Sequence, residues 1–317
     1  MLSDGAAGNE KQALALAKAL GFSQDDASLR CFRLEVRAPW RWFSPHLLSG
    51  ANSAFDGEFR QALESRDWPE LAIGCGRQAA LATRLVKRES RGATRVVQIL
   101  DPRIDPACFD LVVAPRHDGL QGANVATTRG ALNAIDDAFL ADAKRRFAPF
   151  AQWPAPRTVL LLGGPTRALP LDHDYWNGLA STLETLVQRE GGSLSIAASR
   201  RTPDWLKQQA RLAFASLPGL RWYDGSDGGN PYDGLLAWAD RIVVTPDSVN
   251  MLSEAAATPT PLFAWKPEQV RGKLAGFISE LRAMDRLRPL DADAAPWNPT
   301  PLRELDAVAA RARTLLG

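Results

Sequence analysis

Three features of the sequence predict an α/β chain of two Rossmann-like domains facing across a cleft. Short runs rich in β-branched residues, bounded by Gly, Pro or Asp, alternate with helical stretches throughout, the pattern of parallel strands joined by helical crossovers. The runs are apolar nearly end to end, as in strands covered on both faces. A length of 317 residues suits two domains of roughly 150 residues, each able to bury its own core.

In the first half the apolar runs predict strands over 70–74, 95–100, 110–114 and 124–128. Only Met1 and Leu2 precede the Ser3-Asp4-Gly5 loop, so the usual opening strand is expected either to lie upstream of Met1 or to be replaced by a different sheet start. After Asn9 a stripe of Ala13, Leu16, Ala17 and Leu20 predicts a helix that Gly21 stops. A second helix is expected over 78–87. In the second half, strands are expected over 158–162, 193–198, 221–223, 241–245 and 261–265, with helices over 174–189, 203–214, 248–256 and 268–284. Pro149, Pro154 and Pro156 fall within eight residues, a density that neither a helix nor a central strand accepts. The domains are therefore expected to be 1–152 and 153–317. A second proline-rich stretch, 295–301, could carry a last helix, 302–316, back onto the first domain.

Lys+Arg 38 against Asp+Glu 36 leaves a formal charge of +2, far from the basic excess that phosphate-backbone binding needs, so nucleic acid is not expected as a partner. Cys31, Cys75 and Cys108, with His46, His117 and His173, show no metal-ligand spacing. Asp172-His173-Asp174 sits at a helix start and Asp291-Ala292-Asp293 in a proline-rich segment, so neither is read as a metal site. No metal or cofactor is expected. Scattered cysteines, no long apolar run and no secretory signal point to the cytoplasm. Pro39-Trp40-Arg41-Trp42-Phe43-Ser44-Pro45 mixes aromatic and basic residues; it suits a peripheral membrane contact through Trp40–Phe43 or an ordinary packed loop.

Four stretches of the second half fall just past a strand or at the following helix start, where open α/β sheets bind ligands. In Leu162-Gly163-Gly164-Pro165-Thr166 the missing side chains would let a phosphate or sugar approach the backbone. Ser199-Arg200-Arg201-Thr202-Pro203 offers arginine forks for a diphosphate, with Thr202 expected to cap the next helix. The loop from Asp224 to Asn230 and Tyr232 is glycine-rich and reads as a closing flap or a plain turn. The most specific is Thr245-Pro246-Asp247-Ser248-Val249-Asn250-Met251-Leu252-Ser253-Glu254, a strand running into a helix whose N-terminal amides attract an anion. Ser248 would then hold phosphate and Glu254, nearly two turns on, the ribose. In the first half His117, beside Asp118, is the leading general-base candidate because imidazole titrates near neutrality; Asp4 is the other.

Taken in order, SDGAAGN, GCGRQA, VQILDPR, FDLVVAPRHDG, SRRTP, DGSDGGNPY and TPDSVNMLSEA resemble the mitochondrial-fission protein family first known from plants, which has many bacterial members. The resemblance covers nearly the whole chain. It implies a glycosyltransferase B-type fold, similar to the peptidoglycan lipid-intermediate glycosyltransferase, whose donor helix and glycine loop would correspond to Ser248–Glu254 and Gly163-Gly164. The sugar-nucleotide epimerase label that some members carry is not expected to apply. Tyr175, Tyr223 and Tyr232 are followed four residues on by Leu179, Asp227 and Leu236 rather than lysine, and the Gly-x-Gly-x-x-Gly fingerprint is absent. The expected function is metal-independent glycosyl transfer from a nucleotide-diphosphate sugar, held through Gly163, Gly164, Thr166, Ser199, Arg200, Arg201, Asn230, Asp247, Ser248, Asn250, Met251 and Glu254. The alternative is a non-catalytic adaptor of the same fold with a protein partner.

Overall fold

In the computed structural model, which describes residues 1–25 and 27–317, the apolar runs become the strands of two all-parallel sheets. The first contains β1 (Leu2–Ser3), β2 (Phe32–Arg33), β3 (Leu71–Cys75), β4 (Arg95–Ile99), β5 (Leu111–Pro115) and β6 (Val125–Thr128), in the spatial order β2-β1-β3-β4-β5-β6. The second contains β7 (Arg157–Leu162), β8 (Ser193–Ala198), β9 (Arg221–Trp222), β10 (Arg241–Val244), β11 (Leu262–Ala264) and β12 (Arg288–Pro289), in the order β12-β11-β10-β7-β8-β9. Both are Rossmann-like: an open parallel sheet wound in two directions from an early strand.

The first strand is not missing. Leu2 pairs with Phe32 on one side and Gly74 on the other, so two residues at the chain start occupy an interior position in the sheet. Their shortness concealed them, because only cross-strand pairing identifies them as a strand.

The chain divides into two compact units, Met1–Ala134 with Glu304–Gly317, and Ile135–Arg303. The expected boundary at 152/153 is thereby moved to 134/135. The Asp137–Arg146 helix, overlooked in the sequence, explains the shift: its Leu140 and Ala143 join the same core as Leu235 and Leu236. Gly234 makes the approach tight, since a Cβ there would stand 2.4 Å from Phe147 Cγ. Pro149, Pro154 and Pro156 therefore lie within the second unit, the first in a 3-10 turn (Ala148–Gln152) and the other two in the short stretch before β7.

The last helix, Leu305–Arg313, belongs to the first unit. Val308, Ala309 and Ala312 pack with Ala13, Leu16 and Ala17 of the Ala7–Ala19 helix. The Glu304 carboxylate accepts the amides of Arg129 (2.9 Å) and Gly130 (3.2 Å) and so pins the entry to this helix. Among the described residues no helix is long and apolar enough to cross a membrane.

Candidate functional site

In the second sheet, order 3-2-1-4-5-6 counted from β7 puts the reversal of strand order between β7 and β10. Ligands bind at such switch points, beyond the carboxyl ends of the strands. Because β10, β7 and β8 are neighbours, the loops that follow them meet there, and three of the stretches singled out in the sequence are joined by direct bonds. The Asp247 carboxylate is their centre. Its side chain is fully buried and accepts from Thr245 Oγ1 (2.8 Å), Arg201 Nη2 (2.8 Å) and the Gly164 amide (3.3 Å). Burial pushes its pKa up, against the opposing pull of the Thr245 hydroxyl and the Arg201 charge. Thr245 also accepts the Gly163 amide at 2.7 Å.

The two glycines do something other than leave space for a phosphate. A Cβ on Gly163 would stand 1.8 Å from Asp247 Oδ1, and one on Gly164 would stand 2.2 Å from the Arg201 carbonyl oxygen. The chain itself takes that room. Thr202 departs from its expected role as well: the next helix, Asp204–Ala213, has Pro203 as its N-cap without a side-chain bond. The Thr202 hydroxyl instead lies 2.8 Å from the Gly163 carbonyl and accepts the Ser199 amide at 3.0 Å, tying the β8 loop to the β7 loop. Ser199 Oγ accepts the Arg201 amide at 3.2 Å.

Ser248 caps the Val249–Ala256 helix, its hydroxyl facing the Met251 amide at 3.5 Å. Asn250 and Met251 are half-buried in the first turn. Glu254 is buried rather than solvated, and its Oε2 accepts the Tyr232 hydroxyl at 2.6 Å. Burial and the adjacent carboxylate hold the Tyr232 phenol well above its ordinary pKa, so it stays a donor. Tyr232 and Thr245 lie within stretches singled out in the sequence, but no binding role is expected of either there. Each acts through a partner supplied by folding, and only the turn start at Asn230-Pro231 hinted at the first. Asn230 Oδ1 accepts the Tyr232 amide at 3.0 Å and so starts the Tyr232–Trp238 helix. Arg200 is exposed, and Thr166 closes its own turn with Leu169 (3.1 Å); neither joins the Asp247 cluster.

In the first sheet the reversal lies between β1 and β3. Asp4 follows β1 and sits there, accepting Asn9 Nδ2 at 3.1 Å and the Ala6 amide at 3.1 Å. Gly76, after β3, has φ +88°, and a Cβ on it would stand 2.7 Å from Asn9 Nδ2. His117 is half-buried in a 3-10 turn after β5. It is three strand positions from Asp4, about 14 Å at the usual interstrand spacing. The two base candidates are not brought together, and only Asp4 is at the switch point.

Solved structures of similar fold include the UDP-GlcNAc 2-epimerase from Methanocaldococcus jannaschii, with a TM-score of 0.60, 14% identity and coverage of 99% of this chain and 98% of that one. The S. aureus MnaA–UDP co-structure gives a TM-score of 0.51 at 13% identity, covering 99% and 94%. The likeness is one of fold. It also narrows the argument against an epimerase, because a UDP-GlcNAc 2-epimerase shares this architecture; the missing tyrosine–lysine pair and glycine fingerprint bear only on epimerases that use that pair. The mitochondrial fission protein ELM1 of Arabidopsis thaliana is 30% identical over 284 residues, covering 80% of this chain and 65% of the plant protein, a little under two thirds of its length. An uncharacterized protein of Rickettsia prowazekii is 24% identical over 305 residues, covering 84% and 82%. The family pattern described as Mitochondrial fission ELM1 matches residues 7–316, and the chain belongs to that family.

Proposed function

We propose that the second unit binds a nucleotide-diphosphate sugar at the β7/β10 switch point and that the protein transfers the sugar to an acceptor held by the first unit. The observation that carries this reading is the convergence of the Gly164 amide, Arg201 and the Asp247–Ser248 helix start on one point of the sheet edge. The arginine fork and the helix N-terminus would take the charge of the diphosphate in place of a metal. Glu254, oriented by Tyr232, would accept from the ribose hydroxyls. UDP is the probe of choice, since the S. aureus MnaA structure of similar fold is one with UDP. The proposal includes a cytoplasmic location, in keeping with three free cysteine thiols.

Its position at the switch point supports Asp4 over His117 as the base. Asp4→Asn is expected to lower turnover by about 10²–10⁴-fold with nucleotide affinity nearly intact, because a proton transfer belongs to the transition state. The test is a product assay over UDP-sugars and acceptors with the intact protein and both variants. A loss confined to His117→Asn would move the role to His117.

One observation favours the second reading, a non-catalytic adaptor with a protein partner. Three donors at the switch point, Thr245 Oγ1, Arg201 Nη2 and the Gly164 amide, already bond the protein's own Asp247 carboxylate. Bound UDP without sugar transfer or hydrolysis in that assay would select the adaptor.

A further inference from the structure

Exposed large apolar side chains are few among the described residues, and they are not scattered evenly. Trp42 (73% exposed), Phe43 (48%) and Leu48 (43%) fall within seven residues, whereas Leu212 and Met284 stand alone in the sequence. A lone exposed leucine needs no explanation, but a cluster with two aromatics does.

The segment that carries the cluster is fastened on its inner side. Trp40 turns inward and packs against the first-unit core, with its ring 3.4 Å from where a Gly50 Cβ would stand. Ser44 is buried, and its amide and hydroxyl both bond the Trp40 carbonyl, at 2.8 and 3.0 Å. Arg84, on the Arg77–Glu89 helix, donates to the Pro45 carbonyl at 2.7 Å. The Arg37 amide bonds the Ala54 carbonyl at 2.9 Å, next to the wholly buried Phe55. These bonds hold the backbone while the short Trp40–Phe43 helix presents Trp42 and Phe43 outward.

Charge identifies the occupant. From Arg37 to Phe55 the sequence contains Arg37, Arg41 and His46 and no Asp or Glu. Arg41 and His46 are exposed beside the aromatic pair, and Arg37, half exposed, reaches the first acid, Asp56, at 3.1 Å. Tryptophan with arginine, rigid and protruding, matches the boundary between headgroups and acyl chains, where the ring enters and the guanidinium meets lipid phosphate. We infer that Trp42, Phe43 and Leu48, with Arg41, form a docking surface for a bilayer carrying anionic lipids. The inference does not depend on nucleotide binding.

The test is co-sedimentation of the full chain with vesicles of phosphatidylcholine alone and with about one third phosphatidylserine. Binding to the anionic vesicles that weakens as salt is raised is expected. Trp42→Ser with Phe43→Ser should reduce it by at least about tenfold, since two exposed aromatics supply most of the buried area. Arg41→Gln should reduce it about fivefold, and only on the anionic vesicles. Unfolding temperatures of the variants should match wild type, because the substituted side chains are exposed. No sedimentation of wild type, equal binding to both vesicles, or undiminished binding by the double variant overturns the inference. So does a wild-type dimer that the double variant loses, which would assign the patch to a second copy of the chain.

Discussion

Gly163→Ala is expected to destabilise the second unit by about 3 kcal/mol and to lower its unfolding midpoint by roughly 6–12 °C. The added methyl would stand 1.8 Å from Asp247 Oδ1 and 2.3 Å from its Cγ. The carboxylate has nowhere to retreat: its side chain is wholly buried and fixed by Thr245, Arg201 and Gly164. Thermal unfolding of the single variants and of Gly163→Ala with Asp247→Ala checks the contact. The double variant should lose clearly less than the two singles together, because removing the carboxylate relieves the overlap. Additive losses would place the damage elsewhere. Asp247 also predicts a pH dependence. Burial raises its folded pKa, so its contribution to stability is fully present below the ordinary aspartate value of about 4 and is lost as pH rises through the raised value. The pH–stability slope over that window should be flatter in Asp247→Asn than in wild type.

Arg286→Met should cost still more, about 3–5 kcal/mol, although Arg286 lies at the far end of the Val249–Ala256 helix from Ser248. Arg286 is fully buried. Its Nε donates to the Ala256 carbonyl at 2.8 Å, and Nη2 lies 2.8 Å from the Ala255 and Thr258 carbonyls and 3.1 Å from Thr260. Burial lowers its pKa to about 10, which leaves it charged at neutral pH, a cation set at the negative end of a helix dipole. Methionine fills similar space and satisfies none of those oxygens. Denaturant unfolding measures the loss, and nucleotide affinity should fall with it as the helix loosens. Arg286→Met with wild-type stability would mean that the carbonyls find water instead.

The parts of this molecule readable from its sequence are those encoded locally. The strands β3, β4, β5, β7, β8 and β10 are mostly apolar runs, and they fold within a residue or two of their expected bounds. Of the four two-residue strands only β9 is expected from the sequence; β1, β2 and β12 carry no such signal, and pairing with neighbours defines them. The 134/135 boundary between the compact units has no local signal for a related reason. Three prolines announced a linker, whereas the association of the Asp137–Arg146 helix depends on Gly234 meeting Phe147, a contact across distant sequence. The site shows the same division. The helix start at Asp247-Ser248 follows from the strand before it and the apolar stretch after it. That Gly163 would face Asp247, or Glu254 face Tyr232, required the strand order that brings β10 beside β7.

Nucleotide binding by the second unit is tested most directly by a calorimetric titration of the intact protein with UDP. Wild type should give a saturable heat. Glu254→Ala should weaken the affinity by about 5–150-fold, equivalent to about 1–3 kcal/mol, as one charge-assisted hydrogen-bonding partner of the ribose is removed. Tyr232→Phe should fall between the two, since the carboxylate remains but loses the hydroxyl that bonds it at 2.6 Å. A flat wild-type titration, or equal affinities for wild type and Glu254→Ala, would contradict the site.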